Sequence, residues 1–168
     1  MDIVSAYTPT PYYAEAALLF RTAVEALGVT PRIIEYPDRG SWIENCRAKP
    51  LLIAALRRPG HSLLWIDIDA VVRELPEEPE GVDFAAVPRR PRDDRDWQGG
   101  LLYFADTLAA TLLLREYVAG VASQPHWSDE AALNWCRFTR ATIAPLRAPG
   151  IRAGLSGNAS KYNRGENP

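Results

Sequence analysis

The sequence has little cysteine. Its two cysteines, Cys46 and Cys136, sit in helical-looking segments with no CxxC spacing. That pattern argues against a disulfide framework or a thiolate zinc site and reads as two small buried hydrophobes in a reducing compartment. No apolar stretch approaches membrane-spanning length. Met1-Asp2-Ile3-Val4-Ser5 has no basic segment leading into a long apolar one, so no signal peptide is expected and a cytoplasmic location is the default. Net charge is also small: a formal -2 from 19 basic and 21 acidic residues gives no global field for nucleic acid or membrane. Glycine-rich phosphate loops are missing too, with neither a GxGxxG nor a Walker A sequence. What remains is a 168-residue chain, 47% hydrophobic and 24% charged, sized for one compact domain.

Against that plain background one segment stands out: Leu63-Leu64-Trp65-Ile66-Asp67-Ile68-Asp69-Ala70-Val71-Val72. An apolar run of this length between turn signals predicts a buried strand, here Leu63 to Asp69. Two ionised carboxylates are costly there unless a cation compensates them or the strand end emerges into a polar cleft. Open α/β sheets place ligands at the carboxyl ends of their strands, so the pair points to a metal or phosphate site at one strand tip. With no phosphate loop available, a divalent cation on Asp67 and Asp69 would neutralise a bound nucleotide's phosphates, as hard cations commonly do.

The rest of the pattern predicts an α/β order. A strand is expected over Asp2 to Ala6, an amphipathic helix over Tyr12 to Leu27, and a strand over Val29 to Tyr36. Ser41 with Glu44 three residues on reads as a capping box for the next helix, with a break expected at Pro50. After the acidic strand come a strand over Asp83 to Val87 and a charge-dense loop carrying Arg89, Arg90, Arg92, Arg95, Asp93, Asp94 and Asp96. A strand over Gly99 to Phe104, a helix over Thr107 to Val121, a Ser128-capped helix to about Phe138 and a short strand over Ala141 to Pro145 complete the order. The first half is thus a parallel, right-handed α/β unit and the second half is mixed.

At this point the residues carry a resemblance. Leu64-Trp65-Ile66-Asp67-Ile68-Asp69-Ala70-Val71 is similar to the DxD motif of GT-A-fold glycosyltransferases, which use nucleotide-sugar donors. Upstream, Asn45-Cys46-Arg47-Ala48-Lys49-Pro50 resembles the segment that precedes DxD there. Downstream, Asp83-Phe84-Ala85-Ala86-Val87, then Trp97-Gln98-Gly99-Gly100-Leu101-Leu102-Tyr103-Phe104, then Trp127-Ser128-Asp129-Glu130-Ala131-Ala132-Leu133-Asn134 resemble its following strand, its "fnsGvlyf" strand and its "DqxalN" helix start. The set spans roughly the middle two-thirds of the chain in the family's order.

The resemblance implies a single-domain GT-A-like, Rossmann-like fold: a mixed, mostly parallel central sheet flanked by helices. Residues 1–150 would form the catalytic domain, and 151–168 a C-terminal tail or a segment covering the active site. It implies a hexosyl- or pentosyltransferase using a nucleotide-sugar, a UDP-sugar favoured, with Mn²⁺ or Mg²⁺ on Asp67 and Asp69. Ala6, Tyr7 and Thr8 would cradle the nucleoside, and Lys49 would help neutralise phosphate. Gln98, Gly99 and Gly100 would line the donor-sugar pocket, with Gln98 and Asp129 in catalytic positions and Asp129 facing the acceptor or the sugar hydroxyls. One departure concerns the third metal ligand, a histidine near the C-terminus in many members. The chain's two histidines, His61 and His126, lie elsewhere, and the tail offers Asn158, Lys161 and Arg164 instead. Lys161 and Arg164 are then candidates for direct phosphate contact. The acceptor is open: a glycan, a protein, a small molecule or a nucleobase in DNA.

Plainer roles compete at several positions. Lys49 reads first as a solvated helix residue and Trp65 and Trp135 as core, while Asp129 reads equally as a first-turn acid. Trp42, Trp97 and Trp127 fall near predicted loops, where an aromatic face stacks or packs. The Arg89–Asp96 loop is by default a self-paired charge cluster. Two other functions fit the same motif. Asp67-Ile68-Asp69-Ala70-Val71 also matches the nucleophile motif of haloacid-dehalogenase-like phosphatases, where the first Asp attacks phosphorus, although that motif normally opens the chain. A GT-A-like module that holds a nucleotide or glycan without turnover is the third.

Overall fold

The computed structural model describes residues 1–89, 96–136, 138 and 141–152. The expected βαβαβ half is present as β1 (Asp2–Tyr7), α1 (Pro11–Ala26), β2 (Arg32–Glu35), α2 (Trp42–Leu56) and β3 (Leu63–Ile66). The second half adds β4 (Val71–Val72), β5 (Phe84–Pro88), β6 (Trp97–Phe104), α3 (Leu108–Ser123), α4 (Asp129–Trp135), β7 (Ile143–Pro145) and β8 (Ile151–Arg152). The main sheet has the order β2-β1-β3-β6-β5-β7. β1 pairs in parallel with β2 and β3, and β5 with β7, while β6 runs antiparallel to both β3 and β5. Five strands therefore point one way and β6 the other.

The strands alternate cleanly between two cores, as a sheet buried on both faces must. Val4, Leu63, Trp65, Phe84, Leu102 and Phe104 face α2, α3 and α4. Ile3, Leu64, Ile66, Ala85, Leu101 and Tyr103 face α1 and the small β4–β8 sheet. α1 and α2 thus lie on opposite faces, and the strand order reverses at β1. The crevice beyond the carboxyl ends of β1 and β3 is the switch point where open α/β sheets take their ligands.

Local chemistry explains the element ends. Thr10, Ser41, Thr107 and Ser128 are extended N-caps whose hydroxyls accept from the backbone N–H three residues on. The capping box at Ser41 is half formed: Glu44 N–H donates to Ser41 Oγ at 3.2 Å, but the Glu44 carboxylate pairs with Arg47 at 3.4 Å.

Three expectations are corrected. α2 runs unbroken through Pro50, which is buried inside it. Packing against the sheet outweighs the lost backbone bond, as tertiary context commonly does with helix propensity. β3 stops at Ile66, so Asp67 to Asp69 form a turn, closed by Ala70 N–H donating to Asp67 O at 3.0 Å. Trp135, read as core, is instead half exposed on the outer side of α4, edge-on to Trp127 at 5.8 Å. Trp97 is packed at 1% exposure between Phe84 and Phe138. No described helix is long and apolar enough to cross a membrane.

Candidate active site

β1 and β3 pair in register only as far as Val4 and Trp65. Beyond that point the buried Ser5 hydroxyl donates to Ile66 O at 2.6 Å, filling a ladder position with a side chain. The strands open there onto a cleft of about 440 Å³, within the usual range for small-molecule sites. Ala6, Tyr7 and Thr8 from the β1 end form one wall, and Asp67, Ile68 and Asp69 form the floor. Thr10 and Tyr13 bring the N-terminus of α1 to it, and Ser41 and Trp42 bring that of α2, so two positive dipole ends face the same space. Tyr36, Asp38 and Asn45 lie on the α2 side; Ser128, Asp129 and Glu130 close the far end.

The polar centre of the cleft is Lys49. Its position on α2 directs Nζ inward, 2.9 Å from Asp67 Oδ1, 2.8 Å from Asp129 Oδ2 and 3.0 Å from Gly99 O. The two carboxylates are held as ion pairs and the Gly99 carbonyl by a hydrogen bond, so the protein itself engages the ammonium on three sides. Burial works against the Lys49 charge, but Asp129 and Asp67 outweigh it and hold the ammonium's pKa well above the ordinary value. Burial likewise pushes the Asp129 carboxyl up, with Lys49 opposing. Lys49 is thus neither solvated nor free, and Asp129 is more than a first-turn acid.

Asp67 has a second partner that sequence reasoning missed. The Trp65 indole Nε1–H donates to Asp67 Oδ1, just past the end of β3, at 2.7 Å. Asp67 Oδ2 lies over Gly100, 3.3 Å from where a Cβ would stand. Asp69, in the same turn, is half-buried, and its Oδ2 has no partner among the described residues. Burial first, and then the Asp67 charge, raise its carboxyl above the ordinary value. Tyr13, across the cleft mouth, is pushed to about 12 by burial, with Asp69 adding to it.

The expected sugar-pocket strand shows why its glycines matter. β6 and β5 pair at Ala86↔Leu102 and again at Pro88↔Trp97, so residues 98–101 of β6 stand opposite Val87 alone. This bulge turns the Gly99 backbone toward the helices: its N–H donates to Glu130 Oε1 at 2.9 Å and its carbonyl accepts from Lys49. A Cβ on Gly99 would meet Asp129 Oδ2 at 2.8 Å and Glu130 Cγ at 3.0 Å. Gly100 O accepts from Asp67 N–H at 2.9 Å and so sets the height of the turn. Gln98 turns away to donate to Pro88 O at 3.3 Å and, like Gly99 and Gly100, is not among the cleft-lining residues, so the glycines shape the cleft from behind Asp67 and Asp129. Glu130, unassigned from sequence, lines the cleft with Oε2 held by Arg89, which also binds Asp96 at 3.1 Å. Its signal was its place in the first turn beside Asp129. Lys161, Arg164 and most of the Arg89–Asp96 loop lie outside the described residues. His61 and His126 are exposed and do not line the cleft.

The residues fit a divalent cation at the β3 tip. Asp67 shares its one lysine with Asp129, Asp69 Oδ2 is a buried orphan, and hard oxygen donors suit Mg²⁺ and Mn²⁺. Among the described residues no third histidine, cysteine or acid joins them in a metal-binding group.

No family model and no curated protein matches the chain. Solved structures do. A glycosyltransferase involved in glycosylation of the major capsid of PBCV-1 superposes with TM-score 0.62 at 14% identity, over 86% of this chain and 81% of that one. The galactosyltransferase LgtC, solved with donor and acceptor sugar analogues, gives 0.59 at 14%, over 86% and 73%. The glycosyltransferase GlyE of Streptococcus pneumoniae TIGR4 gives 0.56 at 13%, over 97% of this chain but 50% of GlyE. At these identities the likeness establishes the architecture, a GT-A-like α/β fold, as the order of motifs from Lys49 to Asn134 had implied.

Proposed function

We propose, with that fold as premise, that the chain is a glycosyltransferase moving a sugar from a nucleotide-diphospho-sugar, a UDP-sugar favoured, to an acceptor hydroxyl. The observation that carries the reading is the β3 tip: Asp67 and the orphaned Asp69 Oδ2 in a cleft at the strand-order switch point, under the N-termini of α1 and α2. Asp67 and Asp69 would hold Mn²⁺ or Mg²⁺, which when bound neutralises charge on a departing diphosphate. The chain's own groups do the rest. Ala6, Tyr7 and Thr8 bound the nucleoside end, with the Tyr7 hydroxyl fixed on Glu35 at 2.9 Å. Lys49 keeps Asp67 and Asp129 in place, so the polar wall is arranged before substrate arrives. Asp129 and Glu130, anchored on Lys49 and on Gly99 N–H, present acids at the acceptor end of the cleft.

A panel of nucleotide-sugars with and without Mn²⁺, followed by thermal shift and nucleoside diphosphate release, tests this reading. Metal-dependent stabilisation with release is expected, and Asp69→Asn should lose release by about 10–100-fold. Stabilisation without turnover would identify a binding module instead. Absence of any shift, with phosphatase activity abolished by Asp67→Asn, would sink the glycosyltransferase reading in favour of the phosphatase.

A further inference from the structure

A carboxylate has two oxygens, each able to accept two strong contacts. Asp67 has spent one of them. Oδ1 takes the Trp65 indole N–H at 2.7 Å and the Lys49 ammonium at 2.9 Å, while Oδ2 faces the bare backbone of Gly100. The two donors are themselves braced. Trp65 is 3% exposed in the core beneath α2, and Lys49 Nζ stands 5.9 Å from the centre of its indole ring. Lys49 is further tied to Asp129 and Gly99 O, so neither donor can swing away without breaking buried contacts. Asp67 is therefore held in one rotation, with Oδ1 engaged by two donors and Oδ2, over the Gly100 backbone, the oxygen left for a cation.

We infer that Trp65 is a positioning residue that sets cation selectivity: by occupying Asp67 Oδ1 it restricts Asp67 to one-oxygen coordination and favours a small octahedral cation over Ca²⁺. The inference rests on the reading of Asp67 and Asp69 as the cation pair. Ca²⁺ takes six to eight oxygens and draws on two-oxygen carboxylates, whereas Mg²⁺ and Mn²⁺ accept one oxygen from each carboxylate and complete their shell with water and phosphate. With Asp67 limited to Oδ2, the β3 tip supplies at most three carboxylate oxygens. Lys49 shares the restraint, but removing it strands Asp129. Trp65 is the member whose donor can be deleted while its ring is largely kept.

The test is Mn²⁺ binding read by electron paramagnetic resonance in the presence of UDP, with Ca²⁺ as competitor, on the whole chain and on Trp65→Phe. For the wild type, Ca²⁺ equimolar with Mn²⁺ is expected to leave Mn²⁺ bound. For Trp65→Phe, Mn²⁺ is expected to bind about tenfold more weakly, with a similar gain for Ca²⁺ in competition. A core role alone would lower the melting temperature without moving the Mn²⁺/Ca²⁺ ratio, so an unchanged ratio in a folded variant overturns the inference. If the variant does not fold, the wild type decides: displacement of Mn²⁺ by equimolar Ca²⁺ overturns it, and retention supports it. Wild type that binds neither ion overturns the cation reading itself, and this inference with it, which separates the two failures.

Discussion

The two ends of the parallel strands handle carboxylates in opposite ways. At the amino end one acid, Asp2, is met by Arg58 Nε at 2.8 Å, Arg32 Nη1 at 3.3 Å and His61 Nδ1 at 3.5 Å. At the carboxyl end three acids, Asp67, Asp69 and Asp129, gather about one lysine. The Arg58 hydrogen bond, helped by the other cations, holds Asp2 below the usual carboxylate range. Burial drives Asp69 and Asp129 above it. One end is over-compensated and structural. The other carries unmet demand for positive charge, the condition that the proposed cation site requires.

The largest effect should come from removing the shared cation. Lys49→Met leaves Asp129 buried beside Asp67 with no counter-charge, and unfolding by urea should show a loss of about 3–5 kcal/mol, as for other broken buried pairs. The double variant Lys49→Met/Asp129→Asn should recover much of that loss, because the stranded charge goes with its partner. If the single and double variants are equally destabilised, packing of the lysine stem rather than charge holds this end together. No substitution at the amino end should approach this size, since the arginines around Asp2 reach solvent.

Gly99→Ala sharpens the contrast at smaller scale. The added methyl would stand 2.8 Å from Asp129 Oδ2 and 3.4 Å from Lys49 Nζ. Asp129 cannot retreat while it is buried and ion-paired, so a cost of about 1–3 kcal/mol is expected from the same urea measurement. Gly100→Ala, whose nearest atom is Asp67 Oδ2 at 3.3 Å, should cost less but should displace the one oxygen left for a cation. Its signature is weaker Mn²⁺ binding at nearly wild-type stability.

These residues also mark how far the sequence could be read. The βαβαβ order was legible because strand and helix periods and the caps at Ser41 and Ser128 are local signals. That Asp67 and Asp69 need compensation was legible because ionised groups at the end of an apolar run demand a partner. The identity of that partner was not, because Lys49 meets Asp67, Gly99 and Asp129 from 18, 50 and 80 residues away, and no local pattern encodes such a junction. The Gly99 bulge was hidden for the same reason: Gly-Gly marks a close backbone approach without naming what approaches. Pro50 misled because a rule about isolated helices met one packed on a sheet.

The smallest effect is a slope rather than a loss. Asp2 has its carboxyl lowered in the folded chain, so its ties add stability above the unfolded-state pKa and lose it as pH falls through the folded one. Asp69 and Asp129 are raised, so their ionised forms weigh against folding at neutral pH and that burden lifts as pH falls through their folded values. In metal-free buffer the two ends therefore oppose each other across the acid range. Asp2→Asn removes one side: it should lower the urea midpoint modestly near pH 7 and flatten its decline below about pH 4. The flattening should be partial, because Asp83, held down by the Thr107 hydroxyl at 2.6 Å and the Thr142 N–H at 2.7 Å, keeps its own acid-sensitive tie. A midpoint that falls as steeply in Asp2→Asn as in the wild type would mean that the cations around Asp2 are held by solvent rather than by it, and the contrast between the two ends would then rest on the carboxyl end alone.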